Sequence, residues 1–451
     1  TSAPFSSGES NVAVGKSALA GFTTGYSNTV MGTNAGDAIT SGYENALFGQ
    51  GAGGALTDGH DNVMIGQVAG GTSTSVGQAV IIGEFAGYAN LTSAADGVVL
   101  IGAGAGRNLT TGAGNIAIGY ASMLQHTTGA RNIAIGWEAM HDTNAGSTSQ
   151  GSSDNVFIGY SAGGGVWANA ASNFNVAIGT YAMDANLNGA LYNVAIGQDA
   201  LTNLISGDNN TAVGNSAGNG LTTGAQNQYF GMYTGFYNQT GNNNVGIGYG
   251  ALQGISGKSA SSNTAIGHVS LYNIVGDNST ALGLNAGMYA TGSYNTFVGS
   301  NAGEGGTTSA PFSSGEENTA MGYQALTNFT TGGSNTAMGR KALEDVTSGG
   351  YNVAVGNEAG LQLTTGGENV FLGISAGGNT TDVDKAVLIG GGAGTGVLTS
   401  AADGIVLIGY TAGQSITSGA ANTVIGYESG KALTTGGSNI SLGYQAHLAL
   451  V

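Results

Sequence analysis

The chain lacks cysteine and contains only 2 prolines and 8 lysine and arginine residues among its 451 residues. The absence of cysteine excludes disulfides, thiolate metal sites and cysteine nucleophiles. With 25 acidic residues the formal net charge is −17, so the few basic side chains cannot neutralise a phosphate backbone and no nucleic-acid partner is expected. No apolar run is long enough to cross a bilayer, so we expect no membrane span in this segment.

Glycine is the abundant residue, with 86 copies and no G-X-Y period, which excludes a collagen helix. Such a glycine content often accompanies disorder. The 41% of hydrophobic residues argues against disorder here, because a chain rich in Val, Ile, Leu and Ala buries enough surface to offset the entropy of ordering.

A short repeat covers the whole sequence. A core of the form N-x-A-[IVLMF]-G recurs in 25 units, usually 17 residues apart, and is followed by x-x-A-[GL] and then by T-[TS]-G. The core alternates with the period of two that is typical of a strand, and the T-[TS]-G segment is typical of a corner. We therefore predict an all-β fold, a parallel β-solenoid of about 25 coils with a 17-residue repeat, bundled side by side in a homo-oligomer.

Stacked coils place identical residues above one another, and such ladders satisfy side-chain amides along the axis. The leading Asn is present in 20 of 25 units, and Ala stands three residues after the last core glycine in 21 of 25. The predicted structural ladder is represented in the first four units by Asn11, Asn28, Asn45 and Asn62, by Gly15, Gly32, Gly49 and Gly66, and by Ala18, Ala35, Ala52 and Ala69.

The alternation within the core also predicts two faces of each strand. We expect Val12 and Val14, and the bulky residues at the same places in other units, to fill the interior. Asn11, Ala13 and Gly15 would then form a small, flat outer face that another backbone can approach. That face favours side-by-side association of solenoids, although thin coils alone would also select small residues at their corners.

A longer period overlies the short one. Residues 1–144 recur as 308–451 at an offset of 307, so residues 1–307 form one super-repeat of 17 coils and residues 308–451 begin the next within one continuous solenoid. Gaps of 19 residues before Gly102, Gly267 and Gly409, and of 23 residues before Gly159 and Gly322, predict projecting loops. We expect the array to continue, with residues resembling 145–307 after Val451.

The sequence offers little that predicts catalysis or a cofactor. The histidines are scattered through different coils without a common spacing: His60, His126, His141, His268 and His447. Neither an enzyme nor a cofactor is expected, and a polysaccharide-degrading solenoid would require a groove lined by clustered carboxylates. Calcium is the alternative left open by the acidic segments DGHDN at 58–62 and TDVDK at 381–385.

Two columns are candidate surface features. The T-[TS]-G threonines could form a flat ladder like an ice-binding face, but their adjacent hydroxyl residues point to opposite sides, which favours a structural corner. Tyrosine often follows the core glycine, and these exposed aromatics are candidate contacts with sugars, proteins or neighbouring chains: Tyr120, Tyr160, Tyr249, Tyr323, Tyr410, Tyr427 and Tyr444.

Units such as NTAMGYQALTNFTTGGSN at 318–335 and NTFVGSNAG at 295–303 resemble the repeats of giant secreted surface proteins of marine gliding Bacteroidota. Phage tail fibres contain similar repeats, and the core is similar to that of trimeric autotransporter heads, although those have a shorter period. The first resemblance implies type IX secretion and an adhesive extracellular filament of the grappling-hook type that catches prey cells.

We therefore expect a structural and adhesive segment of a giant extracellular filament attached to the cell surface. Its partners would be copies of itself, in a parallel trimer or a larger ring such as a heptamer, and the surfaces or glycans of other cells. The alternative is the shaft or receptor-binding fibre of a phage tail. A sorting domain beyond this segment would favour the bacterial filament, and an intramolecular chaperone domain would favour the phage fibre.

Overall fold

The computed structural model describes residues 6–143, 151–307, 309 and 311–447. The chain divides into two compact units, Thr1–Asn227 and Gln228–Val451. In the described residues, both consist mainly of three-residue strands separated by turns. A 3₁₀ helix at Ser93–Ala95 in the first unit and another at Ser400–Ala402 in the second each lie in a 19-residue repeat. The longer connections before Gly159 and Gly322 include residues 144–150, 308 and 310, which lie outside the described residues.

The first unit contains twelve strands: Val12–Val14 (β1), Thr29–Met31 (β2), Ala46–Phe48 (β3), Val63–Ile65 (β4), Val80–Ile82 (β5), Val99–Ile101 (β6), Ile116–Ile118 (β7), Ile133–Ile135 (β8), Val156–Ile158 (β9), Val176–Ile178 (β10), Val194–Ile196 (β11) and Thr211–Val213 (β12).

The second unit contains thirteen strands: Gln228–Phe230 (β13), Val245–Ile247 (β14), Thr264–Ile266 (β15), Thr280–Leu282 (β16), Thr296–Val298 (β17), Thr319–Met321 (β18), Thr336–Met338 (β19), Val353–Val355 (β20), Val370–Leu372 (β21), Val387–Ile389 (β22), Val406–Ile408 (β23), Thr423–Ile425 (β24) and Ile440–Leu442 (β25).

Within each unit every strand pairs in parallel with the next strand along the chain. The register sets equivalent repeat positions opposite one another, as in Leu47 opposite Met64 between β3 and β4, and Ala337 opposite Ala354 between β19 and β20. Such stacking of one short strand per turn is the geometry of a parallel β-solenoid. The predicted fold class, an all-β solenoid of about 25 coils with a 17-residue repeat, is confirmed.

The core glycine that ends each strand is required by the backbone. These glycines have φ between +122° and +142°, a conformation that residues with a Cβ avoid. They also stack closely, since a Cβ placed at Gly66 would lie 2.7 Å from the carbonyl oxygen of Gly83. The column therefore admits only glycine.

In most coils the interior is filled by one large side chain at either of two positions: the middle strand residue or the residue four places after the core glycine. Where the middle residue is Ala337, the second position is Leu343, and both are fully buried. Where the middle residue is Phe371, the second position is Gly377, and a Cβ there would lie 2.6 Å from the phenyl ring. One large side chain thus maintains the close packing of most coils. Where both positions are small, as in the coil of Gly360, large side chains of the neighbouring coils lie against the glycine.

The predicted assignment of the strand faces is wrong. The middle residue of β2 to β25 is buried, and the leading Asn is buried in most coils, whereas the first and third strand residues are half-buried or exposed. The Asn-Ala face therefore lies inside the coil and the bulky aliphatic face lies outside. The physical reason is that the buried Asn side chains form hydrogen bonds with one another and with the backbone of the corners.

Candidate interaction surfaces

The Asn ladder forms inside the coils. The side-chain oxygen of Asn28 accepts hydrogen bonds from the backbone N–H and the Nδ2 of Asn45, at 3.1 and 2.9 Å. The Nδ2 of Asn45 also donates to the carbonyl oxygen of Gly59, in the corner one coil further on, at 2.9 Å. The same pattern links Asn11 to Asn28 and Asn45 to Asn62. A buried amide with all of these partners costs little to desolvate and fixes the corner against the strand.

The ladder is interrupted in places. Ala79 and Val98 are buried apolar residues in the Asn column of the first unit, and Ala386 and Ile405 take the same places in the second unit. The side-chain oxygen of the preceding Asn then accepts only a backbone N–H, as that of Asn62 does from Ala79 at 3.0 Å. The coil thus tolerates loss of the amide where an aliphatic side chain replaces it.

The small-residue columns pack beside this ladder. Ala35, Ala52 and Ala69 are fully buried, and Ala18 in the coil of β1 is half-buried. In the threonine column, the hydroxyl of Thr347 donates to the carbonyl oxygen of Thr364 one coil on, at 3.1 Å. This bond, which recurs at other T-[TS]-G corners, supports the interpretation of the column as a structural corner.

Two columns of side chains form the outward face of each unit, and we call them the outer columns. They contain the first and third residues of every strand, and neither column has a charged residue in any of the 25 strands. The first strand residue is Val, Ile or Ala in 16 strands and Thr or Gln in nine. The third residue is always Val, Ile, Leu, Met or Phe. Ile178 and Ile196, in adjacent coils, are each 37% exposed. An apolar surface that continues through many coils is typical of an interaction site.

All seven tyrosines predicted as surface contacts are exposed, between 43% and 72%. Tyr410, Tyr427 and Tyr444 stack in one row, with ring centroids 5.4 and 5.3 Å apart. Tyr120 stacks on Trp137, Tyr249 stacks on His268, and Tyr160 meets Tyr181 edge-on. Tyr323 is exposed but lies one coil before Arg340 and has no stacked neighbour in the described part of the chain.

A second aromatic row was not predicted. Tyr26, Tyr43 and His60 stand two residues before the Asn in successive coils, and their rings stack at 4.9 and 5.0 Å. The sequence contains the signal, since aligning the units on the Asn places these three rings in one column.

The histidines remain apart in the described structure. His126 is fully buried, within 3.3 Å of the hydroxyl of Thr143 and 3.2 Å of the carbonyl oxygen of Gly129. Burial lowers the pKa of His126 to about 4, so the ring is neutral at pH 7. His60 and His141 lie beside the adjacent carboxylates Asp61 and Asp142.

One carboxyl group is also perturbed. Burial raises the pKa of Asp184 to about 6, against the opposing effect of hydrogen bonds from the backbone of Gly164 and Gly165. The nearby charges of Asp199 and Glu138 raise it slightly further. This environment favours the protonated carboxyl group, and no cationic side chain contributes to the shift in its pKa.

In the described ranges, no three His, Asp or Glu side chains lie close enough to hold a metal ion together. This covers the acidic segments at 58–62 and 381–385. No helix in the same ranges has the length and apolar character needed to span a membrane.

Comparison with models of known protein families gives no match, and comparison with curated proteins gives no relative. The fold itself defines the class of this chain, which is a parallel β-solenoid with a 17-residue coil.

Proposed function

We propose that this chain is a structural and adhesive segment of an extracellular filament, in which copies of the solenoid associate side by side and their exposed aromatic rows contact other cells. The observation that supports this most directly is the pair of outer columns, which are uncharged and partly open to solvent in coil after coil, and of which the third-residue column is apolar throughout. The extracellular location and the secretion route come from the resemblance of the repeat to secreted surface proteins.

The outer columns favour association only when many coils act together. Complete burial of an aliphatic side chain is worth about 1.5–3 kcal/mol, so covering a side chain that is 37% exposed recovers roughly 0.5–1 kcal/mol. The third strand position of the first unit, over its twelve coils, would then contribute at most about 6–12 kcal/mol, since seven of these residues are less exposed than Ile178. Association itself costs about 4–15 kcal/mol. Tandem repetition therefore supplies the length that stable bundling requires.

The partner that fits this surface best is a second copy of the chain. Side chains in the outer columns repeat with the stacking of the strands, about 4.8 Å per coil. A partner with a different axial spacing would lose register after a few coils, whereas a parallel copy of the chain has the same spacing and stays in register. The uncharged columns also let two copies of an acidic chain approach without juxtaposing their carboxylates.

The adhesive part of the proposal rests on the aromatic rows. Tyrosine combines a large apolar ring with a hydroxyl group, which suits contact with sugars and proteins. Each contact is weak, but many copies on one filament would add by avidity. The shaft of a phage tail fibre is the second candidate, because it would also need laterally associated solenoids.

Light scattering at micromolar concentration tests the assembly. We expect the wild-type chain to have a mass several times 44.1 kDa, and the double variant Ile178→Asp and Ile196→Asp to be monomeric. The control variant Asn186→Asp and Ser206→Asp adds the same charge at exposed corners of the same coils and should assemble like the wild type. A monomeric wild-type chain would remove the support for bundling, and electron microscopy of the native assembly would distinguish filament from fibre.

A further inference from the structure

A groove of about 640 Å³ follows the corners of successive coils in the second unit. Gly333, Gly350 and Gly367 form its floor, each as the second glycine of a T-[TS]-G-G corner, and we call it the glycine groove. Because these three residues lack side chains, the surface is open where other coils carry a side chain.

The φ angle does not require glycine at these three places. None of the three has a positive φ, unlike the core glycines. The residues 307 positions earlier are Tyr26, Tyr43 and His60, whose stacked rings fill the same column in the first unit. In three successive coils, this column is thus filled by rings in the first copy of the super-repeat and open in the second.

The floor presents unpaired backbone donors. In this column the backbone N–H is often bound by a side chain one coil on, as for Leu191 and Asp208 at 2.8 Å, and Gly367 and Asp384 at 2.7 Å. The residues one coil after Gly333 and Gly350 are glycines, so these two amides have no acceptor within the described part of the chain. A ligand in the groove would meet two adjacent N–H groups.

The walls add groups of complementary character. One side has the exposed hydroxyl groups of Thr331, Ser348 and Thr365, and the other has Tyr351, which is 71% exposed. Four carboxylates also line the groove, and none of them forms an ion pair within the described ranges: Glu316, Glu317, Glu368 and Asp384.

We propose that the glycine groove binds an extended neutral glycan, an inference that rests on the adhesive part of the proposed function and names its ligand class. Sugar hydroxyl groups both donate and accept hydrogen bonds, so they match amides that donate, carboxylates that accept and hydroxyl groups that do both. The ring of Tyr351 offers a face on which the apolar side of a pyranose packs. The carboxylates repel uronate and sulfate groups, which selects against anionic glycans.

The shape of the groove favours a linear glycan over a single sugar. Equivalent groups recur in each coil at the strand spacing of about 4.8 Å. Rings of an extended β-1,4-linked chain follow one another at a similar spacing, so successive rings can meet Gly333, Gly350 and Gly367 in turn.

Calorimetric titration of the full chain with hexamers of β-1,4-linked glucose and N-acetylglucosamine tests the proposal. We expect saturable binding of at least one hexamer, with one site per chain. Gly350→Tyr, which places in the groove the residue found at position 43, should weaken binding at least about tenfold by filling the site. Gly437→Tyr is the matched control, because Gly437 lies in the same column outside the groove and a Cβ at either glycine would lie 2.9 Å from a carbonyl oxygen.

Surface variants that leave the backbone unchanged test the groove independently. Glu368→Gln and Ser348→Ala should each weaken binding several-fold, which decides the question if Gly350→Tyr misfolds. The proposal is overturned by absence of saturable binding, by equal effects of Gly350→Tyr and Gly437→Tyr, by tighter binding of a sulfated glycan, or by cleavage of the hexamers. Light scattering on the same samples separates the two proposals, since a chain that assembles but binds no hexamer contradicts the groove and not the filament.

Discussion

Truncation of one buried ring tests the volume-complementary packing directly. Phe371 in β21 is fully buried, and Gly377 in its own coil and Gly360 in the preceding coil leave room for its ring. A Cβ at these glycines would lie 2.6 and 2.9 Å from the ring, so the ring occupies the space that a side chain at either glycine would take. Phe371→Ala should therefore leave a cavity and destabilise these coils by about 3–5 kcal/mol.

A second substitution should restore part of the loss. Coils with Ala320 or Ala337 in the middle of the strand carry Leu326 or Leu343 at the complementary position, with φ of 52° and 50°. Gly377 has φ of 62°, so Gly377→Leu reproduces a pairing that the chain already uses. Gly377→Leu alone should overpack against Phe371 and cost about 1–3 kcal/mol. In the double variant the two changes should compensate, with a coupling energy of at least about 2 kcal/mol.

Hydrogen exchange measured by mass spectrometry suits this test, because each coil contacts mainly its neighbours and the effect should be local. In Phe371→Ala, amides of β20 to β22 should exchange roughly 10²- to 10³-fold faster, since each 1.4 kcal/mol is a factor of ten. Peptides that cover β4 to β6 provide the internal control and should not change. If the effects of Phe371→Ala and Gly377→Leu on the exchange rates were simply additive in the double variant, the complementarity between these two positions would be refuted.

Two further perturbations probe buried polar groups. Because the pKa of His126 is about 4 in the folded chain and about 6.5 when unfolded, the folded state binds fewer protons, and the first unit should lose about 3 kcal/mol of stability as pH falls from 6.5 to 4. His126→Leu should remove this loss when the free energy of unfolding is measured against pH. Asp184 is present in both the wild type and the variant, so its titration cancels in the difference between their free energies of unfolding. If that difference stayed constant between pH 6.5 and 4, the lowered pKa of His126 would be contradicted. Asn352→Ala removes bonds to Asn335, Gly366 and Asn369 and should cost about 2–3 kcal/mol in local opening. Asn301→Ala, at a half-buried site outside the ladder, should cost less, and equal costs would contradict a special role of the ladder.

The sequence predicted the period, the strands and the Asn column because these depend on repetition alone. It did not predict which strand face lies inside. Alternation with a period of two leaves two candidate interiors, and transfer free energies favour burial of Ile178 over Asn175. In the folded chain, however, Asn175 uses both donor hydrogens and accepts two hydrogen bonds, so its burial carries no unsatisfied group. The hydrogen bonds between coils, which no single unit contains, decide the orientation.

The candidate surfaces also differ in whether the sequence alone could predict them. The exposed tyrosines follow from their place beside the core glycine, and the row through Tyr26 follows from a column that the sequence already contains. The glycine groove could not be predicted from the sequence, because Gly333 and Gly350 resemble the other corner glycines until their φ angles and unpaired amides are known. Whether a glycine serves the backbone or leaves space for a ligand is decided by conformation, which composition does not record.

Reversal of the strand faces changes what side-by-side association would require. A flat Asn-Ala-Gly surface would have bound a neighbour through close backbone approach, which allows few substitutions. Contact through the outer columns would instead depend on apolar area, which Val, Ile, Leu, Met and Phe all supply and which a single charge removes. The third strand position varies among these five residues and never includes a charge. Under the proposed function, such a surface could diverge between the two copies of the repeated segment, residues 1–144 and 308–451, and still bind a second copy of the chain.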